Sequence, residues 1–261
     1  MADYAVRGQS PGISTIIDQL FQKADSRLLR SAISRQEGQF LEQLASRPDI
    51  RNTIEIGCAN AISSLYICSG ISAKDNPSHT AIDPFQTNHY RGRGIANVES
   101  AGFTFFHVIE QGSETALPGL LSKGKFYDLA LIDGLHTADQ TLVDFYYIDR
   151  LLKPGGVVVI DDVNATAVNK IVHYVSTYPN YRLIGTCGPR GVKRRILNIA
   201  KRILATALWP VRKAFGEALL REFFDISVVK PAHLWTIDFC TMAAFEKIAE
   251  CARDTDWYEG I

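Results

Sequence analysis

Two hydrophobic runs, each ending in aspartate, decide the fold: Phe126-Tyr-Asp-Leu-Ala-Leu-Ile132 followed by Asp133-Gly-Leu-His136, and Gly156-Val-Val-Val-Ile160 followed by Asp161-Asp-Val-Asn164. Near-continuous apolar runs are typical of strands that are buried on both faces of a parallel sheet. A helical stretch separates the two, so we expect neighbouring parallel strands whose carboxyl ends open on one ligand-binding edge. Three carboxylates on that edge, from Asp133, Asp161 and Asp162, repel unless a cation lies between them. The pattern therefore predicts a hard divalent metal ion beside a small-molecule site.

The alternation of strands with helical or loop stretches extends along most of the chain. Residues 13–45 carry apolar side chains at helical spacing and predict two or three helices before the first strand. The alternation predicts an α/β fold with a mostly parallel sheet and helices on both faces. The predicted strands are 53–56, 80–82, 103–108, 128–132, 157–160, 181–186 and 234–242, with a C-terminal helix after the last.

Length and composition limit the class of protein. The chain has 261 residues, of which 46% are hydrophobic, so one large globular domain can bury a substantial core. Lysine plus arginine and aspartate plus glutamate both number 28, and this zero net charge gives no reason to expect a nucleic-acid partner. The five cysteines are widely spaced, and we see neither a long apolar run nor a signal peptide. Both observations favour a cytoplasmic protein.

One segment, residues 189–216, is basic throughout and contains no acidic residue. Ile196, Ile199, Ile203 and Ala207 form one helical stripe, opposite a basic face, and the helix would break at Trp209-Pro210. Such a helix could lie on an anionic membrane surface or attract an anionic substrate. The alternative is a helical lid that packs on its own domain with its basic face in water.

Polar turns follow the first three predicted strands. The first strand leads into Glu55-Ile-Gly57, where a small residue lets the backbone approach a ligand closely. Asp83 ends the second strand, a position from which a carboxylate commonly takes ribose hydroxyls, although a turn aspartate is the alternative. Gly112-Ser113 follows the third strand and suits the edge of a base or the cap of a helix. The spacing does not match G-x-G-x-x-G, which weighs against a nicotinamide-dependent oxidoreductase.

Together these motifs resemble a class I S-adenosylmethionine-dependent methyltransferase. Glu37-Gly-Gln-Phe-Leu41, with Asp133 and the pair Asp161-Asp162, is similar to the metal-dependent O-methyltransferases of the catechol and caffeoyl-CoA type. Asp133-Gly-Leu-His136 ahead of the turn Leu152-Lys-Pro-Gly-Gly156 is closer to bacterial enzymes that methylate sugar hydroxyls. The resemblance implies a Rossmann-like, doubly wound seven-stranded sheet with an antiparallel last strand. It also implies an N-terminal helical cap at 1–50, a methyltransferase domain at 51–261 with a basic helical insert at about 188–232, and a homodimer.

The family's cofactor roles map onto matching positions of this chain. Asp133 would border the cofactor as well as the metal, and Ala61 stands where the family usually has glycine, so that its methyl group would crowd the cofactor. The implied contacts are Glu55 and Gly57 with the methionine end, Ser63 with the carboxylate, Asp83 with the ribose, and Gly112 and Ser113 with the adenine.

The implied metal ligands are Asp133, Asp161 and Asp162, and carboxylate oxygens suit Mg²⁺. His136 occupies the position at which catechol-type enzymes have a catalytic lysine. Thr137 and Gln140 read as a capping box, so His136 would precede a helix N-terminus, where the dipole and a nearby cation disfavour imidazolium. We therefore expect a neutral imidazole that acts as general base; a structural histidine or a metal ligand is the alternative.

The predicted function is metal-assisted transfer of a methyl group from S-adenosylmethionine to a hydroxyl of a small molecule, such as a sugar or a glycosylated product. A phenol or catechol is the alternative acceptor. Two other classes stay open: a nicotinamide-dependent oxidoreductase, and a catalytically inactive protein that binds the inner membrane face through residues 189–216.

Overall fold

The computed structural model describes residues 15–20, 32–188, 210, 237 and 240–253. Almost all of the basic segment 189–216 and of the predicted insert at 188–232 lies outside these residues, as do parts of the N-terminal helices and the end of the chain. Among the helices that the described residues form, none is long and apolar enough to cross a membrane.

In the described part of the chain, seven strands form one mixed sheet, which confirms the predicted fold class. The strand order is β3-β2-β1-β4-β5-β7-β6. β1 pairs with β2 and β2 pairs with β3 in parallel, whereas β7 runs antiparallel to both β5 and β6. The strands are β1 (Asn52–Ile56), β2 (Ser78–Ile82), β3 (Phe106–Ile109), β4 (Tyr127–Ile132), β5 (Leu152–Ile160), β6 (Tyr181–Cys187) and β7 (Met242–Lys247).

Helices connect the strands in the expected alternation. Residues 15–20 are helical, as predicted for the N-terminal region. The helix before β1 starts with a capping box, in which the Glu37 backbone N–H donates to Ser34 Oγ and the Ser34 N–H donates to Glu37 Oε2. The helices are α1 (Arg35–Ala45), α2 (Ile62–Ile71), α3 (Arg93–Ser100), α4 (Ser113–Ser122), α5 (Ala138–Leu151) and α6 (Thr166–Val175).

The chain divides into two compact units between Leu129 and Ala130, within β4. In the first unit α1 packs on α2, where Gly38 lies against the ring of Tyr66 so closely that a Cβ atom would overlap the ring. In the second unit the core is built on β5 and β7, whose side chains from Val157 to Ile160 and from Met242 to Phe245 are buried. The boundary that we expect near residue 50 stays a prediction.

The predicted position of the last strand is wrong. Met242–Lys247 form the last strand of the described residues and occupy positions that we assigned to a C-terminal helix, whereas residues 234–236, 238 and 239 of the predicted strand lie outside the described residues. Alanine, glutamate and lysine favour helices, but pairing with β5 on one side and β6 on the other overrides that preference. Lys247 is buried in this strand because its ammonium group donates to the carbonyl oxygens of Asp149 and Leu152, at 2.7 and 3.0 Å.

The segment Leu152–Gly156 differs from the predicted turn as well. α5 ends at Leu151 and β5 begins at the next residue, so the segment is the first part of a strand. Gly155 has a φ of +88°, which a residue with a side chain rarely adopts. Gly155 therefore lies within β5, beyond the change from helix to strand, at a position where a side chain would strain the backbone.

Candidate functional site

The turn between β1 and α2 reverses the chain through three left-handed residues. Gly57 has a φ of 87°, Ala59 a φ of 48° and Ala61 a φ of 62°. The Gly57 N–H donates to Ile82 O at 2.9 Å, so the end of β1 stays in register with β2. Glycine adopts this conformation freely, whereas each alanine costs roughly 1–2 kcal/mol there. The turn is therefore strained at two positions that lack glycine.

The structure explains what Ala61 changes relative to the family's glycine. Ala61 precedes the first residue of α2 and is completely buried. Its N–H donates to Cys58 O at 2.6 Å within the turn. The departure from glycine adds backbone strain, and the crowding of a cofactor that we expect from the sequence stays a prediction.

Asp83 binds the backbone of this turn with its carboxylate. Oδ2 accepts from the N–H groups of Cys58 and Ala59, at 3.1 and 2.7 Å, and from Nε2 of Gln86 at 3.0 Å. Oδ1 accepts from the Phe85 N–H at 2.8 Å. With 3% of Asp83 exposed, these four donors account for about the whole accepting capacity of a carboxylate. Its contact with a ribose stays a prediction, and Asp83 organises the turn in any case.

Glu55 is completely buried at the centre of the first unit. Its Oε1 accepts from the Ser64 hydroxyl and lies 3.4 Å from Nε2 of His79, while Oε2 has no hydrogen-bond partner among the described residues. His79, whose Nδ1 bonds the Thr53 hydroxyl at 2.8 Å, was not singled out from the sequence. Burial and the Glu55 charge raise the pKa of the Cys58 thiol well above its usual value, so this thiol stays protonated. A contact between Glu55 and a cofactor stays a prediction.

The remaining predicted cofactor residues lie at helix starts. Ser63 is the second residue of α2 and Ser113 the first of α4, and both are buried. Gly112 is the N-cap of α4 in an extended conformation. Beside it, Glu110 accepts from the N–H and the hydroxyl of Thr87, which ties the end of β3 to the segment after β2. Helix N-termini favour anionic groups, which agrees with the predicted role of Ser63.

In the second unit, Asp133, His136 and Asp162 form a cluster, the acid–histidine cluster, at the ends of β4 and β5. One oxygen or nitrogen atom from each lies within 4.8 Å of the others. His136 Nδ1 is 2.6 Å from Asp162 Oδ2, and His136 Nε2 is 3.6 Å from Asp133 Oδ1. This is the one such group of metal-ligating side chains in the described part of the chain.

Asp161 is not part of the acid–histidine cluster, and its predicted role as a metal ligand stays a prediction. Its N–H donates to Ile132 O at 3.0 Å, which continues the strand pattern, and the residue is buried. Asp162 then takes a left-handed φ of 50°, which turns the chain directly after the strand.

Two carboxylates lie beside the His136 ring, and the neutral imidazole that we expect beside a bound cation stays a prediction. Hydrogen bonds to Asp133 and then Asp162 raise the pKa of His136 from 6.5 to about 10, against a smaller opposing effect of burial. The imidazole is therefore positively charged at pH 7 when two carboxylates are its only charged partners. The Thr137 hydroxyl does cap α5, as predicted, by accepting from the Gln140 N–H. The two close carboxylates favour the protonated ring more strongly than the helix dipole disfavours it.

The donor atoms of the acid–histidine cluster fit a divalent cation. Carboxylate oxygens suit Mg²⁺, and imidazole nitrogen suits transition metals. The side chains of Asp133 and Asp162 are 19% and 35% exposed, so a solvated ion can reach them. A cation between the carboxylates would take over the charge balance that imidazolium provides in its absence.

Comparisons with known proteins agree with this fold. Residues 54–163 match the family model described as a methyltransferase domain. No curated protein matches the sequence. The fold is similar to an O-methyltransferase from Bacillus cereus in complex with SAH, with a TM-score of 0.57, 16% identity, and coverage of 70% of this chain and 88% of that one.

Two further structures are similar. The O-methyltransferase TomG from Streptomyces achromogenes, involved in tomaymycin synthesis and solved with SAM, has a TM-score of 0.55 and 18% identity, and covers 69% of this chain and 85% of its own. A SAH-bound methyltransferase from Podospora anserina has a TM-score of 0.56 and 15% identity, and covers 68% and 84%. Residues 54–163 are thus similar to a methyltransferase domain, and the chain shares the fold of these solved methyltransferase structures.

Proposed function

We propose that the protein transfers the methyl group of S-adenosylmethionine to a hydroxyl of a sugar or a glycosylated product, with a divalent cation held by Asp133 and Asp162. The observation that carries this proposal is the acid–histidine cluster, in which a histidine lies between two carboxylates. The turn after β1, with Asp83 and Ser113, is assigned to the methyl donor. Similar structures that contain SAM or SAH support that donor.

A divalent cation bound by the two carboxylates lowers the pKa of a coordinated hydroxyl. Asp162 Oδ2 bonds His136 Nδ1 and thereby orients the ring. In the neutral tautomer, Nδ1 carries the hydrogen and Nε2 has a free lone pair. His136 Nε2 would then accept the proton of the acceptor hydroxyl, and S-adenosylmethionine, if held at the turn after β1, would supply the methyl group that this oxygen takes.

The charge of His136 makes this role depend on the metal-loaded state. Without a cation the two carboxylates hold a proton on the ring, and an imidazolium cannot act as a base. Positive charge between Asp133 and Asp162 disfavours that proton. The chain's own residues thus couple the base to metal loading. We propose that His136, and not Asp161, takes the proton of the acceptor hydroxyl, because Asp161 lies outside the acid–histidine cluster.

The test is a transfer assay with radiolabelled methyl donor and parallel panels of sugars, glycosides and phenols, with and without EDTA. We expect methylation of a glycoside or sugar that EDTA abolishes and Mg²⁺ or Mn²⁺ restores. Loss of a general base costs about 10²- to 10⁴-fold in turnover. The turnover of His136→Gln should be lowered by a factor in this range. Asp133→Asn should lose its activity, and with it the dependence of activity on added metal.

The matched control is Asp139→Asn, which removes an exposed acid three residues after His136 and should retain activity. Affinity for SAH, measured on the same variants, should stay within about twofold of the parent. Transfer that is insensitive to EDTA, or transfer to phenols alone, contradicts the proposal.

A further inference from the structure

The turn after β1 keeps its shape although two of its residues disfavour that shape. Ala59 and Ala61 both have positive φ, a conformation about tenfold less accessible to alanine than to glycine. Non-glycine residues stay there only where surrounding contacts fix the backbone. The first such contact is Asp83, whose Oδ2 accepts from two successive N–H groups of the turn.

Gln86 provides a second contact. Its Nε2 donates to Ala59 O at 2.7 Å and to Asp83 Oδ2 at 3.0 Å, so one amide group bonds both the turn and the carboxylate that holds it. Gln86 is completely buried. Gly94 in α3 makes room for it, since a Cβ atom there would lie 2.7 Å from both Gln86 Oε1 and Ala59 O.

Asn97, also in α3, provides the third contact. Its Nδ2 donates to Asn60 O at 2.9 Å, one residue beyond the carbonyl that Gln86 holds. Together Asp83, Gln86 and Asn97 bond two N–H groups and two carbonyl groups within the three residues from Cys58 to Asn60. We call these three side chains the turn clamp.

We propose that Gln86 and Asn97 are positioning residues for S-adenosylmethionine: with Asp83 they hold the strained turn in the conformation that receives the cofactor. The inference rests on the proposed assignment of this turn to the methyl donor. It does not depend on the acceptor or on the metal. Neither residue belongs to the motifs that suggest the family, and both act through the backbone of the turn without touching the donor.

The test is calorimetric titration of SAH into the parent protein, Gln86→Leu and Asn97→Ala. Loss of one buried hydrogen bond to the turn should lower affinity about five- to tenfold for each variant. Asn169→Ala is the matched control, because Asn169 also donates to a backbone carbonyl, Val163 O, but in the second unit. Its affinity for SAH should stay within twofold of the parent.

A rescue experiment separates positioning from general loss of stability. Ala59→Gly removes the strain at the residue that Gln86 holds. The double variant Ala59→Gly, Gln86→Leu should therefore bind SAH at least threefold more tightly than Gln86→Leu alone. Because Ala59→Gly also stabilises the fold by relieving this strain, the unfolding free energy of each variant is measured beside its SAH affinity; a merely structural role predicts that the unfolding free energy recovers while the SAH affinity of the folded protein does not change. Asn97 is only half-buried, so its variant gives the same readout if Gln86→Leu fails to fold.

Unchanged SAH affinity in folded Gln86→Leu and Asn97→Ala proteins would overturn the inference, as would the absence of rescue by Ala59→Gly. If the parent protein itself does not bind SAH, the assignment of the turn to the methyl donor fails, and the inference fails with it. If the parent binds SAH and the variants bind it equally well, the positioning role of the turn clamp is refuted, but the assignment of the turn to the methyl donor is not.

Discussion

The metal-free protein should become less stable as pH rises, through the charge of His136. Asp133 and Asp162 raise the pKa of His136 above the value of 6.5 that it has when unperturbed. The stabilisation that comes with this shift is fully present below pH 6.5 and is lost as pH rises through about 10. In EDTA, the free energy of unfolding should therefore decline across that interval.

The magnitude follows from the pKa and from the exposure of the ring. A change from 6.5 to about 10 corresponds nominally to roughly 5 kcal/mol. However, 45% of the His136 side chain is exposed, and solvent screens the interaction with Asp133 and Asp162. Exposed pairs contribute at most about 1 kcal/mol each, so we expect a loss of about 1 kcal/mol between pH 6.5 and 10.

The assay is urea denaturation in EDTA at several pH values for the parent, His136→Gln and the control His107→Gln, which replaces an exposed histidine in β3. The parent and the control should show the decline, and His136→Gln should lack about 1 kcal/mol of it. If the three proteins lose stability in parallel, His136 is not held as a cation by Asp133 and Asp162. The proposed coupling between metal and base would then be refuted.

Three further predictions concern the fold and the site. Lys247→Ala should cost about 3–5 kcal/mol of unfolding free energy, because it leaves two buried carbonyls and Asp149 without the ammonium group. Lys247→Met should cost less. Urea denaturation of both variants at pH 7 measures the difference. Gly57→Ala should lower the unfolding free energy by roughly 1–2 kcal/mol and weaken SAH binding. Gly119→Ala, in a helix with open space around the glycine, should be neutral or stabilising in the same urea denaturation. Mn²⁺ binding at pH 7 should release about one proton from the parent and none from His136→Gln, measured by titration in two buffers of different ionisation enthalpy.

The sequence predicts the central strands well because burial leaves a clear pattern. Every residue of β4 is buried, and so is β5 from Gly156 to Ile160, which makes both visible as uninterrupted apolar runs. β7 has no such signal: its identity as a strand depends on two antiparallel partners that are distant in sequence. Its buried lysine is explained only by carbonyls that α5 and β5 present. Long-range contacts of this kind leave no local pattern.

The site shows the same division. Asp133, His136 and Asp162 were predictable because each lies at, or shortly after, the end of a recognisable strand. The left-handed conformation of Asp162, which ends the extended segment, had no such signal in the sequence.

Gln86 carried a weak signal, as it lies three residues after Asp83 and can therefore reach the same carboxylate. Asn97 carried none, because its contact with the turn exists only once α3 has packed. Residues whose function is to hold a backbone segment have no motif of their own.

The central claim is that Asp133 and Asp162 hold the ion that activates the acceptor hydroxyl. The most direct measurement is an anomalous difference map from a crystal soaked with SAH and Mn²⁺ as a substitute for Mg²⁺. We predict one peak at coordination distance, about 2.1 Å for a Mg²⁺-like ion, from a carboxylate oxygen of each. A peak that touches neither Asp133 nor Asp162, in a crystal where SAH is bound, would contradict the account.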